Sequence, residues 1–401
     1  MIMPRGRRQW GLQGAGSCVH ENIGSMENEH GKKIPFSKVL GYSARQHRTD
    51  AGRTALALVH PLVPFCRRHP MKNVAVFGAG RIGRIHATNL AALPGVKLKF
   101  ICDPVGESAA QLSKQLGAEV STIEAVLADK SIDVVAITSP TSTHSDLITR
   151  AAAAGKHIFC EKPVDLSVPR AIACGEAVKA AGVACMIGFQ RRFDPTFNDA
   201  RTRMDAGAIG NPEMLIITSR DPGAPPAEYI KASGGIFRDM LIHDLDVFRW
   251  ILCADGDEAE WLSATGSVLT DPAIADLGDV DSTAVTIRTK KGRLCQINTS
   301  RRAAYGYDQR FEVLGSLGML QCGNQAPSEV VEWNANGITA NKPEAFFLQR
   351  YAAAYKAELA HFFDCLQTGA AFRTTVADGV KAQILADAAA ESCISGQPVK
   401  L

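Results

Sequence analysis

The chain has 401 residues and a formal net charge of +3, with 46% hydrophobic and 21% charged residues. This length accommodates two domains with their own cores, and no apolar run reaches the roughly 18 residues that a membrane helix requires. The eleven cysteines include neither a C-x-x-C pair nor a Cys/His cluster at zinc spacing, which favours a cytoplasmic protein with reduced thiols and no metal site.

Residues 1–70 differ in composition from the rest of the chain. They carry eight Arg and three Lys against four acidic residues, and they lack the apolar core and cleavage site of a secretory signal. A transit peptide is one interpretation, but we favour a disordered extension upstream of the true start at Met71. Because this segment supplies the excess positive charge, we expect the folded part to bind neither nucleic acid nor membrane.

The first predicted strand, residues 74–77, is a continuous apolar run of the kind that a buried parallel strand needs. It leads into a G-x-G-x-x-G turn and then into apolar residues at helical spacing. In a dinucleotide-binding unit, Gly78 makes the tight turn, Gly80 lets the backbone approach a pyrophosphate, and Gly83 lets the helix pack on the strand. The diphosphate would lie at the helix N-terminus, so Arg81 and Ile82 join the predicted cofactor site.

The second predicted strand, residues 96–102, ends in Asp103, which lies 20 residues beyond Gly83. A carboxylate at this position accepts hydrogen bonds from a ribose 2′-OH and repels a 2′-phosphate. The residues that follow, 104–106, offer no Arg to neutralise a phosphate. The pattern therefore predicts NAD rather than NADP, against the alternative of a purely structural glycine turn.

Strands and helices alternate up to Gly188, which indicates a doubly wound parallel sheet. Ligands of such sheets lie beyond the C-terminal ends of the strands. Two further segments occupy such ends and join the predicted cofactor site, contributing Ser139, Thr141 and His144 from the first, and Glu161 and Lys162 from the second.

After residue 188 the pattern changes to an α+β domain with an open, mostly antiparallel sheet. Helices are predicted at 195–206, 237–252, 346–366 and 376–389, and strands at 213–219 and between 261 and 332. We therefore divide the folded chain into a Rossmann domain, 71–188, and a substrate and oligomerisation domain, 189–401, whose C-terminal helix packs back on the first.

Three segments could serve chemistry on a bound substrate. Lys162 at a strand end can donate to a substrate hydroxyl, although an isolated Lys is more often a surface charge. Asp239 and His243 are i and i+4 on a predicted helix; a neutral His can take a hydroxyl proton and the carboxylate can orient it. Such a pair is more often a surface pairing, but apolar neighbours and the preceding double glycine favour chemistry. Tyrosines within 301–310 suit polyol recognition, and sheet packing explains them equally well.

These segments together resemble the Gfo/Idh/MocA oxidoreductases over essentially all of residues 71–401. The resemblance rests on GAGRIG, the EKP triplet, GFQRRFDP, GGIFRDMLIHDLD and YGYDQR. It implies a catalytic set of Lys162, Asp239 and His243. It also places Gln190, Arg191 and Tyr307 on the substrate side together with that set, although Gln190 departs from a more usual Met.

Within the family, the GGIFRDMLIHDLD segment combined with SRRAAYGYDQR resembles the members that oxidise inositols. The resemblance implies that His243 takes the proton from the axial C2 hydroxyl of myo-inositol while hydride moves to C4 of the nicotinamide, giving 2-inosose and NADH. Lys162 would hold the reacting oxygen and Asp239 would position His243. A homotetramer packed through the open sheet is implied as well. Alternatives are another inositol isomer or sugar, a non-catalytic NAD-binding sensor, and a dehydratase or hydrolase with tightly held NAD.

Overall fold

The structure is a computed structural model that describes residues 71–401 and two short strands before them. These two strands, β1 (Met26–Glu27) and β2 (Lys33–Ile34), pair antiparallel. The prediction of disorder for the remainder of residues 1–70 lies outside the described residues. Among the described helices, none combines the length and apolar character that crossing a bilayer requires.

Six parallel strands and five helices make up the N-terminal part of the folded chain. The strands are β3 (Lys72–Phe77), β4 (Val96–Cys102), β5 (Glu119–Val120), β6 (Val134–Ile137), β7 (His157–Glu161) and β8 (Cys185–Gly188). The helices are α1 (Arg81–Ala92), α2 (Gly106–Leu116), α3 (Ile123–Ala128), α4 (His144–Ala153) and α5 (Val168–Ala181).

The strand order β5-β4-β3-β6-β7-β8 confirms the predicted doubly wound sheet. The order changes direction between β3 and β6, and ligands of such sheets bind at this switch point. Along β3 the side chains alternate between two cores: Val74 and Val76 face the side of α1 and α2, and Ala75 and Phe77 face the side of α4 and α5. Burial on both faces explains why the strand is apolar throughout.

The C-terminal part contains a seven-stranded sheet, a separate hairpin and six helices. The sheet strands are β9 (Pro212–Arg220), β10 (Ala259–Ser267), β11 (Ser282–Thr289), β12 (Leu294–Ser300), β13 (Asp308–Gly315), β14 (Gly318–Cys322) and β17 (Val399–Lys400). The hairpin is β15 (Val331–Asn334) with β16 (Gly337–Ala340). The helices are α6 (Pro195–Asp205), α7 (Ala227–Ser233), α8 (Ile242–Leu252), α9 (Phe347–Arg350), α10 (Ala352–Thr368) and α11 (Val376–Ser395).

This sheet has the order β14-β13-β9-β12-β11-β10-β17, and all its pairs are antiparallel except β9 with β12. One face is covered: Leu215 and Ile217 of β9 are buried against α8 and its neighbours. The opposite face is open, because the alternate residues Met214 and Ile216 are each 36% exposed. The open, mostly antiparallel sheet predicted from the sequence is therefore confirmed.

The last two helices connect the two sheets. α10 packs on α1 and completes the core on that side of the parallel sheet. α11 enters both remaining cores: Val376 and Ala382 pack with the α4–α5 side of the parallel sheet, whereas Leu385 and Ala386 pack beneath the C-terminal sheet. A single helix thus shares its faces between the two halves.

Several predicted boundaries differ from the structure. The helix predicted at 237–252 begins as a π-helical turn, Phe237–Leu241, before α8. The helix predicted at 346–366 is broken at Tyr351, which is fully buried and has non-helical backbone angles, into α9 and α10. The sequence interpretation also missed α7, because the Pro-rich residues before it dominated the local pattern, and it missed β16, whereas the strand predicted up to residue 332 overlaps β15.

Candidate active site

The three glycines after β3 differ in what surrounds them. Gly78 has φ +106°, and a Cβ there would lie 2.7 Å from Thr138 O and Ser139 N. A Cβ on Gly83 would lie only 2.0 Å from Gly78 O, whereas one on Gly80 would meet nothing within 4 Å. The first and third positions therefore require glycine for the turn and for close packing, and the second leaves open space in front of the helix.

The N-terminus of α1 faces this open space. Gly80 occupies the N-cap position and offers no side chain to the first amides, which include those of Arg81 and Ile82. Uncapped amides at a helix N-terminus, together with the helix dipole, favour a negatively charged group. The cradle therefore fits the diphosphate of a dinucleotide.

Asp103 lies at the end of β4 and ties the glycine turn in place. Its two carboxylate oxygens accept hydrogen bonds from Ala79 N–H at 2.6 Å and from Val105 N–H at 2.7 Å. Each oxygen retains a second lone pair for a ribose hydroxyl. The side chain thus has the position and the acceptor capacity that the NAD prediction requires.

His144 connects two strand ends from inside the protein. Its ring is buried, Nδ1 lies 2.7 Å from Pro163 O, and Nε2 lies 2.9 Å from Ser139 O. Burial lowers the pKa of this imidazole. Because both nitrogens already face protein carbonyls, neither is left for a ligand. His144 therefore positions its neighbours, and its predicted contact with the cofactor stays a proposal.

The residues around His144 remain near the crevice. Ser139 Oγ lies 2.6 Å from Thr143 Oγ1, and both Ser139 and Thr141 are partly exposed. Their partial exposure agrees with a place beside a ligand. We retain both residues as proposed cofactor contacts.

Lys162 and Asp239 form the centre of the site. Lys162 Nζ donates to Asp239 O at 2.8 Å and lies 3.4 Å from Asp239 Oδ1. Asp239 also accepts a hydrogen bond from Tyr229 OH at 2.9 Å, and its second oxygen lies 3.6 Å from Arg301 NH1. Two cations and a phenol thus surround one carboxylate, so its charge is compensated on several sides.

His243 lies in the same electrostatic environment without bonding to Asp239. Its Nδ1 is buried and has no hydrogen-bond partner among the described residues. Burial lowers its pKa well below the usual value, and the charges of Lys162 and Arg191 lower it further. The imidazole is therefore neutral at physiological pH and can accept a proton.

No hydrogen bond joins Asp239 to His243 in the described part of the chain, so the predicted positioning of His243 by Asp239 stays a proposal. The physical reason lies in the π-helical turn Phe237–Leu241, which carries Asp239 while His243 belongs to the following α-helix. The carboxylate is instead directed to Lys162 and Tyr229.

The predicted substrate-side residues Gln190, Arg191 and Tyr307 are all buried. Arg191 forms an ion pair with Asp244 Oδ1 and donates to Ser219 Oγ at 3.3 Å. Gln190 is buried beside it. Tyr307 packs edge-on against Tyr351 with ring centroids 6.0 Å apart, and burial raises the pKa of its phenol. In this structure Arg191 acts on the site through its charge on His243.

Glu161 directs its carboxylate into the protein. Oε1 lies 2.7 Å from His86 Nε2, and Oε2 accepts a hydrogen bond from the Lys162 backbone N–H at 3.1 Å. Glu161 thus holds the backbone of Lys162 from the interior side of the strand end. We keep its predicted contact with the cofactor as a proposal.

The sequence interpretation missed three residues of this site. Asp221 follows β9, and burial, together with the charge of Asp239, raises its pKa to about 7. Arg301 is fully buried between Asp239 and Asp279. Tyr229 belongs to the unpredicted α7. Two of the three carried a signal, since Asp221 stands at a strand end and Arg301 lies in a segment whose tyrosines alone were considered.

Comparison with known proteins places this arrangement in a family. Residues 72–189 match the model of an oxidoreductase family with an NAD-binding Rossmann fold, and residues 197–321 match the GFO/IDH/MocA C-terminal domain. The chain belongs to the Gfo/Idh/MocA oxidoreductases. It is an NAD-dependent enzyme of that family, which confirms the cofactor and the fold predicted from the sequence.

Three relatives illustrate the similarity. The chain is 44% identical to inositol 2-dehydrogenase of Rhizobium meliloti, covering 81% of this chain and 98% of the relative. It is 41% identical to scyllo-inositol 2-dehydrogenase (NAD(+)) of Bacillus subtilis, covering 82% and 95%. The crystal structure of a myo-inositol dehydrogenase from Corynebacterium glutamicum superposes with a TM-score of 0.79 at 45% identity, covering 82% and 99%.

Proposed function

We propose that this enzyme oxidises myo-inositol at C2 to 2-inosose with NAD. The main support is the geometry of three residues: the Lys162 ammonium lies against Asp239, and the charge of Lys162 acts on a neutral, partly exposed His243 whose Nδ1 is buried. An alcohol dehydrogenase needs a base for the hydroxyl proton and a cation for the oxygen that becomes a carbonyl. The relatives named as inositol dehydrogenases support the choice of substrate class.

Each residue has a defined task in this proposal. Lys162 donates a hydrogen bond to the reacting oxygen and stabilises the negative charge that develops there. His243 accepts the hydroxyl proton on a ring nitrogen, and its lowered pKa keeps it unprotonated beforehand. Asp239 accepts a hydrogen bond from a neighbouring ring hydroxyl while it holds Lys162. NAD, when bound, supplies the hydride acceptor.

The remaining proposals concern isomer, assembly and location. scyllo-Inositol is the second candidate substrate, because a relative at 41% identity carries that name. The open face of the C-terminal sheet, where Met214 and Ile216 are exposed, supports a homotetramer that covers it. The cysteines found in the described residues are all free, in agreement with a cytoplasmic location.

The test measures NADH formation with myo-inositol, scyllo-inositol, D-chiro-inositol and D-glucose, each with NAD and with NADP. Rapid turnover of myo-inositol with NAD is expected, and faster turnover of scyllo-inositol would replace the first candidate by the second. Binding of NAD without turnover of any of the four would refute the proposal. A His243→Gln variant serves as the matched control, because it retains a polar side chain but cannot accept the proton.

A further inference from the structure

A buried cluster of three ionisable side chains lies directly behind the proposed catalytic lysine. His86 comes from α1, Glu161 from the end of β7, and Glu358 from α10. One nitrogen or oxygen atom from each lies within 4.8 Å of the others. Three elements that are distant in sequence thus bring one imidazole and two carboxyl groups together in the protein interior.

Glu161 is held from several sides. Its Oε1 lies 2.7 Å from His86 Nε2 and its Oε2 accepts the Lys162 backbone N–H. A Cβ added to Gly188 would lie 3.2 Å from Glu161 Cδ, so the neighbouring strand leaves little room for another rotamer. His86 is itself enclosed by the rings of Phe159 and Tyr355, whose centroids lie 4.9 and 5.6 Å from that of the imidazole.

Glu358 differs from Glu161 because no hydrogen-bond donor among the described residues reaches its carboxyl oxygens. It is 0% exposed, and neither of its oxygens has a hydrogen-bond partner among the described residues. His86 Nε2, the nearest cationic candidate, lies 3.9 Å away and is already directed to Glu161. A carboxylate left without donors in the interior is far more costly than a neutral carboxylic acid.

Among the described residues, the ionisable groups that face Glu358 are His86 on α1, Glu161 on β7 and Tyr355 on α10 itself, and none of them is a lysine or an arginine. Burial and the charge of Glu161 both raise the pKa of Glu358 well above its ordinary value. Geometry and electrostatics therefore agree that the group retains its proton.

We propose that His86 is a positioning residue, which holds Glu161 where it accepts the Lys162 N–H and so fixes Lys162 beneath the reacting oxygen, and that Glu358 is a neutral neighbour that leaves this contact undisturbed. The part concerning Lys162 rests on the proposed function. Neither residue touches the reacting atoms, since both side chains are fully buried behind β7. The effect of His86 on the reaction passes through Glu161 and the backbone of the next residue.

The protonation state of Glu358 has a direct test. The infrared spectrum of the wild-type protein should contain a carboxylic-acid C=O band that is missing from Glu358→Gln, whose amide keeps the shape and the neutrality. That variant should retain kcat within about twofold at neutral pH, and its Tm should match the wild type. Absence of the band, or a large loss of activity in Glu358→Gln, would show an ionised Glu358 and overturn the proposal.

A metal ion is the competing occupant of this cluster, because a His and two carboxyl groups also suit a divalent cation. The probe is Zn²⁺ added to protein that has been dialysed against a chelator. If the wild type binds Zn²⁺ stoichiometrically and Glu358→Gln does not, the cluster is a metal site and the proposal of a neutral acid is refuted. No binding, with the infrared band present, supports the proposal.

The positioning role is tested with two His86 variants. His86→Leu removes the donor to Glu161 and should lower kcat by about tenfold or more, while Kd for NADH stays near the wild-type value. His86→Gln can donate from nearly the same place and should recover part of the rate. An equal loss of NADH binding, or no recovery, would indicate a structural role only. The infrared band and NADH binding do not depend on the substrate. They therefore distinguish a failure of this inference from a failure of the proposed function.

Discussion

The third glycine of the turn provides a sharp test of the cofactor crevice. In Gly83→Ala the new methyl carbon would lie 2.0 Å from Gly78 O and 2.9 Å from Thr138 Oγ1. The nearest obstacle is a backbone carbonyl, so β3 and α1 must separate. Overpacking of this kind costs typically 1–3 kcal/mol, and a backbone obstacle places the cost near the upper end. With about 2–4 °C of Tm per kcal/mol, we expect Tm to fall by about 6–12 °C.

Gly80→Ala is the matched control, because Gly80 belongs to the same turn and lies three residues before Gly83. Gly80 has φ −69° and ψ −168°, which any residue adopts, and a Cβ there meets no atom within 4 Å. Its Tm should therefore be unchanged. The methyl group would nevertheless occupy the space in front of the helix N-terminus, and we expect the Kd for NAD to rise about tenfold, which corresponds to about 1.4 kcal/mol.

The assay combines thermal unfolding without ligand and calorimetric titration with NAD. The two variants should separate the two properties: one loses stability and the other loses affinity. An unchanged Tm in Gly83→Ala would refute the close approach of strand and helix. Unchanged NAD affinity in Gly80→Ala would show that the diphosphate does not approach at this glycine.

Three further predictions concern single side chains. His243→Gln should lower kcat by about 10²–10⁴ with NADH binding retained; in the wild type the acid limb of kcat/KM against pH should lie below the usual range of His, because the pKa of His243 is lowered. Asp221 ionises near pH 7 when folded, against 3.8 ordinarily, so the free energy of unfolding should fall as pH rises from about 4 to about 7. Asp221→Asn should remove this dependence in a Tm series, and persistence of the slope would contradict the assignment. Asp103→Ala should narrow the preference for NAD over NADP in steady-state kinetics, and an unaltered ratio would exclude Asp103 as the selector.

The local signals in the sequence were sufficient for the first half of the fold. The apolar run of β3, the glycine turn and Asp103 at the end of β4 lie within about 30 residues of the chain, and together they favour a dinucleotide site over a purely structural turn. The alternation of strands and helices then specified the parallel sheet and the edge at which Lys162 lies. These features depend on neighbours in sequence, so periodicity and turn chemistry reveal them.

The parts that could not be predicted depend on residues brought together from far apart. The π-helical turn at Phe237–Leu241 has no clear local signature, yet it decides that Asp239 meets Lys162 instead of His243. Arg301 directly follows β12 and reaches Asp239 on a different element, far from it in the sequence. The burial of Arg191 likewise follows from its ion pair with Asp244, which spacing alone does not indicate.

The placement of α11 has a consequence for how the chain acquires its structure. Val376 and Ala382 belong to the core of the parallel sheet, although six of the seven strands of the C-terminal sheet separate them in sequence from β8. A ribosome that has released residues 71–188 has therefore not yet supplied the surfaces that seal that sheet. The N-terminal half must wait for the end of synthesis before its core closes, and a chain that stops before α10 would leave apolar strands uncovered during translation.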